Sequence, residues 1–103
     1  MTDNYLEMPD REDLELPTVL HALSDPVRLE IVAALAARGE QACGLLALPV
    51  SDSTRSHHLR VLRDAGVTAT RVVGTRRLVS LRREDVDARF PGLLDSVLAA
   101  TPA

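Results

Sequence analysis

Residues 51–66, SDSTRSHHLRVLRDAG, constrain this chain more than any other stretch, because they carry a helix start, a helix body and a helix stop in register. The Ser51 hydroxyl can accept from the free N–H groups of a first helical turn, and Gly66 stands where a left-handed residue closes the last one. The stretch predicts a helix of about fourteen residues, close to four turns. At 100° per residue, Arg55, His58, Leu59, Leu62 and Ala65 fall on one side, and Ser53, Ser56, His57, Arg60 and Asp64 on the other. The first side suits a core. The second has no large apolar group, so it is either an ordinary solvated face or one kept free to hydrogen-bond with something.

The flanking sequence supplies the surroundings of that helix. Asp25-Pro26 is an N-cap followed by proline at the first helical position, and Gly39 after Arg38 is a stop, so a second helix of about thirteen residues is expected. Val27, Ile31, Ala34 and Leu35 line one of its sides and Leu29, Val32, Ala33 and Ala36 cover much of the rest, as in a central core helix. Before it, Leu16, Val19, Leu20 and Leu23 around Pro17 suit a short amphipathic helix with His21 near its polar flank. Between the two capped helices, Leu45, Leu46 and Leu48 precede Pro49, which predicts one or two helical turns and then a tight turn into Ser51. Two helices so joined, the second exposed on its outer face, form a helix-turn-helix.

After Gly66 the period changes. VTATRVV and RRLVSL flank Gly74-Thr75, two strand-like runs about a two-residue turn, so a β-hairpin is expected with Arg71, Arg76 and Arg77 near its tip. Glu84-Asp85 then place acids at the positive end of a last helical segment. Within it Val86, Phe90, Leu93, Leu94, Val97 and Leu98 fall at helical spacing, and Pro91 either kinks the helix or begins another. Residues 1–15 hold six acids against one arginine, with Pro9 interrupting, and read as an acidic N-terminal arm ahead of a single domain over 16–100.

The charge balance decides what the free helix face could meet. The chain is −3 overall, but residues 51–83 contain eight arginines and two aspartates, a local +6 that leaves −9 for the remainder. A +6 segment carrying hydroxyls, imidazole and guanidinium suits phosphates and base edges, which points to DNA. Tyr5 and Phe90 are the only aromatic residues, too few for a base-stacking platform. One cysteine, Cys43, excludes an internal disulfide framework, and no stretch approaches a membrane span, so a soluble cytoplasmic protein with no membrane contact is expected. No Ser/His/Asp set, phosphate loop or H-E-x-x-H pattern is present, which argues against an enzyme.

ALSDPVRLEIVAAL (residues 22–35), SDSTRSHHLRVLRDAGV (residues 51–67) and the arginine-tipped hairpin resemble the ArsR/SmtB family of bacterial winged-helix repressors, over residues 19–98. The resemblance implies a mainly α winged helix-turn-helix with a β-hairpin wing, paired as a homodimer through its first and last helices. Leu16, Leu20, Leu93, Leu94, Val97 and Leu98 would then lie at the dimer interface. It further implies a double-stranded, palindromic operator read by two recognition helices about 34–36 Å apart. Residues 51–65 match the recognition helix, with Ser53, Thr54, Ser56, His57 and Arg60 toward DNA and His58 turned inward. Residues 68–81 match the wing, which places Arg71, Arg76 and Arg77 along phosphates or in the minor groove.

Two positions depart from the family pattern. Arg55 stands where an aliphatic core residue is common, and must reach the rim or find a carboxylate. The paired-cysteine pattern of family metal sensors is here EQACGLL, with Cys43 alone. One thiolate leaves a soft-metal site incomplete, so a nickel or zinc effector would need a set completed across subunits from Cys43, His21, His57, His58, Asp85, Asp87 or the acidic arm. The expected function is a dimeric, sequence-specific DNA-binding transcriptional regulator, a repressor in preference to an activator. The alternative is a winged-helix interaction module that works with a partner protein.

Overall fold

The computed structural model describes residues 4–46 and 48–101, and both capped helices form at the expected places. Helix α1 spans Leu16–Ala22, α2 Pro26–Arg38 and α3 Asp52–Ala65. The Asp25 carboxylate accepts from the backbone N–H of Val27 (2.8 Å) and Arg28 (3.2 Å), and the Ser51 hydroxyl accepts from that of Thr54 (3.2 Å). Gly66 ends α3 at φ 84°, left-handed as its type allows. Helix α4 (Arg83–Arg89) stops before Phe90 and Pro91, and α5 (Leu93–Ala100) starts after Gly92, so Pro91 lies in a break between two helices and neither kinks one nor begins the second. Among the described residues no helix is long and apolar enough to cross a membrane.

The wing is wider than a hairpin. Strands β3 (Thr68–Val73) and β4 (Arg76–Leu81) pair antiparallel across Gly74-Thr75, with Gly74 at φ 62°. Two short strands extend them: β1 (Asn4–Tyr5) beside β3 and β2 (Gln41–Ala42) beside β4, in the order β1-β3-β4-β2. The connection between α2 and α3 therefore differs from expectation. The free edge of β4 recruits Gln41 and Ala42 as a strand, and only Cys43–Leu45 make a single 3-10 turn.

The acidic segment is the larger correction. Residues 1–3 lie outside the described residues, but residues 4–14 are laid along the domain and do not form a loose arm. Leu6 N–H donates to the Thr70 carbonyl (2.8 Å), the Arg82 guanidinium to the Pro9 carbonyl (2.6 Å), and that of Arg89 to the Leu14 carbonyl (2.9 Å). Leu14 is 1% exposed, in one core with Val19, Ile31, Leu62, Val67, Val79 and Val86. The apolar residues scattered among the acids thus find a surface, and Arg11, the one arginine of the segment, finds a carboxylate on α4. Asp85 receives hydrogen bonds from Arg11 (2.7 Å) and Arg82 (3.0 Å).

Burial alone would push the Asp85 carboxyl up, yet those two guanidinium groups hold it below the ordinary carboxylate range. Glu40 is likewise held low by Arg71. Groups depressed on folding bind fewer protons in the folded state, so stability is full above pH about 4 and falls as pH drops through the folded pKa. Urea midpoints measured from pH 6 down to pH 3 should fall, and Asp85→Asn should flatten that fall. An unchanged slope in the variant would count against the Arg11–Asp85–Arg82 link.

Candidate nucleic-acid interface

The outward face of α3 is free. Ser53, Thr54, Ser56, His57 and Arg60 are all exposed, as their spacing predicts. The Thr54 hydroxyl accepts from Ser51 Oγ (2.9 Å) within the cap and keeps its own proton to donate. Arg60 Nε lies 3.8 Å from Asp64 Oδ2, a loose pair that a better anion can replace. Arg55 finds the carboxylate its position requires: Nη2 is 3.1 Å from Asp52 Oδ1, with the side chain 21% exposed.

The inward face is tied to the rest of the protein through one buried cluster. His58 is 8% exposed, and its Nδ1 lies 3.1 Å from Arg28 Nη1 and 4.0 Å from Asp25 Oδ1. Arg28, itself 7% exposed, also donates from Nε to the Ala22 carbonyl (2.7 Å) and from Nη2 to the His21 carbonyl (3.2 Å). Those carbonyls end α1, where a positive charge is favourable. Since guanidinium only donates, His58 Nδ1 accepts and the ring proton sits on Nε2. Burial would push the Asp25 carboxyl up, but the backbone N–H groups of Arg28 and Val27 and the Arg28 charge hold it below its usual value. The end of α1, the start of α2 and the middle of α3 are thus joined at Arg28, so the outer face of α3 has a set direction. Sequence reasoning overlooked Arg28. Its signal was an arginine in the first turn of a helix, against the dipole, which asks for nearby acceptors.

On the wing, Arg76 and Arg77 are exposed beside the turn, with Arg76 opposite Val73 and Arg77 opposite Val72. Arg71 is a correction: it stands in mid-strand, between Tyr5 on β1 and Leu78 on β4, away from the tip. Its Nε and Nη2 meet both oxygens of Glu40 at 2.8 and 2.7 Å, a bidentate clamp that fastens β3 to the connection after α2. Arg63 was overlooked. Its spacing puts it beside Ser56 and Arg60 on α3, and it lines a cleft between that helix and the wing together with Arg77.

The apolar candidates divide. Leu16 and Leu20 are 42% and 46% exposed on α1, and Leu93, Val97 and Leu98 are half-buried on α5. Leu94 is the second correction, at 1% exposure, because α5 turns that side into its own core. The metal candidates are not brought together. His21 is exposed at the end of α1, Asp85 is held by two arginines, and Asp87 accepts from Gly92 N–H (3.2 Å). Burial raises the Cys43 thiol above its ordinary pKa, and the charges of Arg55, Arg77 and Arg63 offset only part of that. Among the described residues no three His, Cys, Asp or Glu side chains lie close enough to hold an ion, so these four do not fit one donor set in a protomer.

Comparison with known proteins places this arrangement. A family profile described as "Helix-turn-helix domain" matches residues 23–71. The uncharacterised HTH-type transcriptional regulator YceK of Bacillus subtilis (strain 168) is 32% identical over 97 residues, which cover 91% of this chain and 97% of that protein. The arsenical resistance operon repressor of Staphylococcus xylosus is 40% identical over 74 residues, 71% of each chain. Among solved structures, an ArsR family transcriptional regulator superposes with a TM-score of 0.64 at 25% identity, over 79% of this chain and 90% of that one. A possible transcriptional regulator for arsenical resistance gives 0.61 at 33% identity, over 80% and 84%.

Proposed function

This chain belongs to the ArsR family of helix-turn-helix transcriptional regulators, and on that premise we propose that it is a homodimeric repressor binding a palindromic operator in the cytoplasm. The observation that carries the reading is the free polar face of α3, directed by the Arg28–His58 contact and flanked by the wing arginines. A helix fits the major groove, where Arg60 can fork onto guanine O6 and N7 and Ser53, Thr54, Ser56 and His57 can reach base edges or phosphates. Arg76 and Arg77 lie on the adjacent backbone or in the minor groove and supply affinity without sequence information. Two copies pair through Leu16 and Leu20 of α1 and the exposed parts of Leu93, Val97 and Leu98 on α5, which covers the two leucines that one protomer leaves wet.

The test is selection of bound duplexes from a random pool, followed by titration of the winner at several salt concentrations. A palindrome with half-site centres about 10 base pairs apart is expected, with an affinity that falls steeply as salt rises. Weak binding that ignores salt, or selection of no common sequence, would sink the reading.

A further inference from the structure

The cleft between α3 and the wing has a third wall. Leu6 N–H is held by the Thr70 carbonyl (2.8 Å), and the Pro9 carbonyl by Arg82 (2.6 Å). Between these two pins, residues 6–9 run past the last turns of α3, and together with Arg60, Arg63, Asp64 and Arg77 they enclose a cleft of about 740 Å³. Three guanidinium groups therefore face one space from two elements, and two carboxylates, Glu7 and Asp64, share it. Among the described residues no hydrogen bond or ion pair joins Glu7 to any of the three arginines, although the segment that carries it is pinned.

From this geometry we infer that Arg63 and Arg77 form a seat for one backbone phosphate of the operator, and that Glu7, delivered by the N-terminal segment, is its built-in counter-charge. The inference rests on the DNA-binding reading above. With α3 in the major groove and the hairpin over the neighbouring minor groove, the sugar-phosphate strand between the grooves has to pass between the two elements. A strand passing there meets Arg63 of the helix and Arg77 of the wing, whose guanidinium groups can both hydrogen-bond its phosphate. Glu7 lowers the affinity of that seat for every sequence alike. It thereby weakens specific and non-specific binding by the same factor and sets how tightly the chain holds DNA as a whole.

Fluorescence anisotropy of the full chain on its selected duplex tests this. Arg63→Ala is expected to bind about tenfold more weakly and to lower the slope of log affinity against log salt by about 0.9, the loss of one phosphate contact. Glu7→Gln, which keeps the shape of the side chain, is expected to bind about threefold more tightly, on random duplex as well as on the operator. Arg38→Ala, at the exposed end of α2, should leave both quantities alone and serves as the control. If the wild-type chain binds no duplex, the regulator reading itself fails. If the wild type binds but the first two variants match it in affinity and slope, the phosphate seat is wrong and the regulator reading stands. Displacement of DNA by inorganic phosphate well beyond that by chloride at equal ionic strength would assign the cleft to a free anion and overturn the inference too. Should Arg63→Ala melt early, Glu7→Gln decides alone.

Discussion

Gly66→Ala is expected to lower the unfolding free energy by about 3 kcal/mol, a large share of the roughly 5–15 kcal/mol that holds a domain together. Two costs combine. The residue sits at φ 84°, where an L side chain costs roughly 1–2 kcal/mol. An added Cβ would also overlap Leu14 Cδ2 and press on Pro9 Cγ at 3.1 Å, and overpacking of this kind typically costs another 1–3 kcal/mol. A fall in Tm of more than about 10 °C should follow. Gly92→Ala is the comparison, since Gly92 has φ 82° but nothing within 4 Å of a new Cβ. It should show the backbone cost alone. Equal losses in the two variants would mean that the N-terminal segment does not rest on Gly66.

The second large effect concerns DNA. Changing Arg76 and Arg77 together to alanine is expected to lower the salt slope by about two and the affinity by about a hundredfold at moderate salt, with the preferred sequence unchanged. Arg60→Ala should instead cost about 1–3 kcal/mol of discrimination at one base pair and relax the preference there. The checks are anisotropy at four or five salt concentrations and repeated selection with each variant. A wing variant with an altered sequence preference would show that the hairpin reads bases as well as phosphates.

Most of the candidate interface's local structure was legible in the chain itself. Ser51, Gly66 and the period between them set the ends of α3 and its two faces, and His58 and Arg60 lie on the sides their spacing assigns. Arg55 reached a carboxylate one turn away, as its chemistry demanded. What could not be read was any partner distant along the chain. Arg71 belongs to Glu40, 31 positions away, and not to the wing tip; Arg11 belongs to Asp85, 74 positions away. Leu94 and Leu93 look alike to a periodicity argument, yet α5 buries only the first. Composition marked residues 1–15 as an arm because six acids outweigh the few apolar groups, and did not reveal that Leu14 has a socket over Gly66.

The division follows from range. Caps, helical faces and the two-residue hairpin turn depend on hydrogen bonds and steric limits within about four residues, so the sequence by itself determined the helix-turn-helix, the wing and the outward polar face. The strand that the N-terminus adds to the sheet, the Arg28 junction of three helices and the charge that Glu7 brings to the cleft depend on which surfaces meet. That was decided only in the tertiary structure. Burial and ion pairing between distant segments are selected by the fit of the whole core, and no local pattern encodes them.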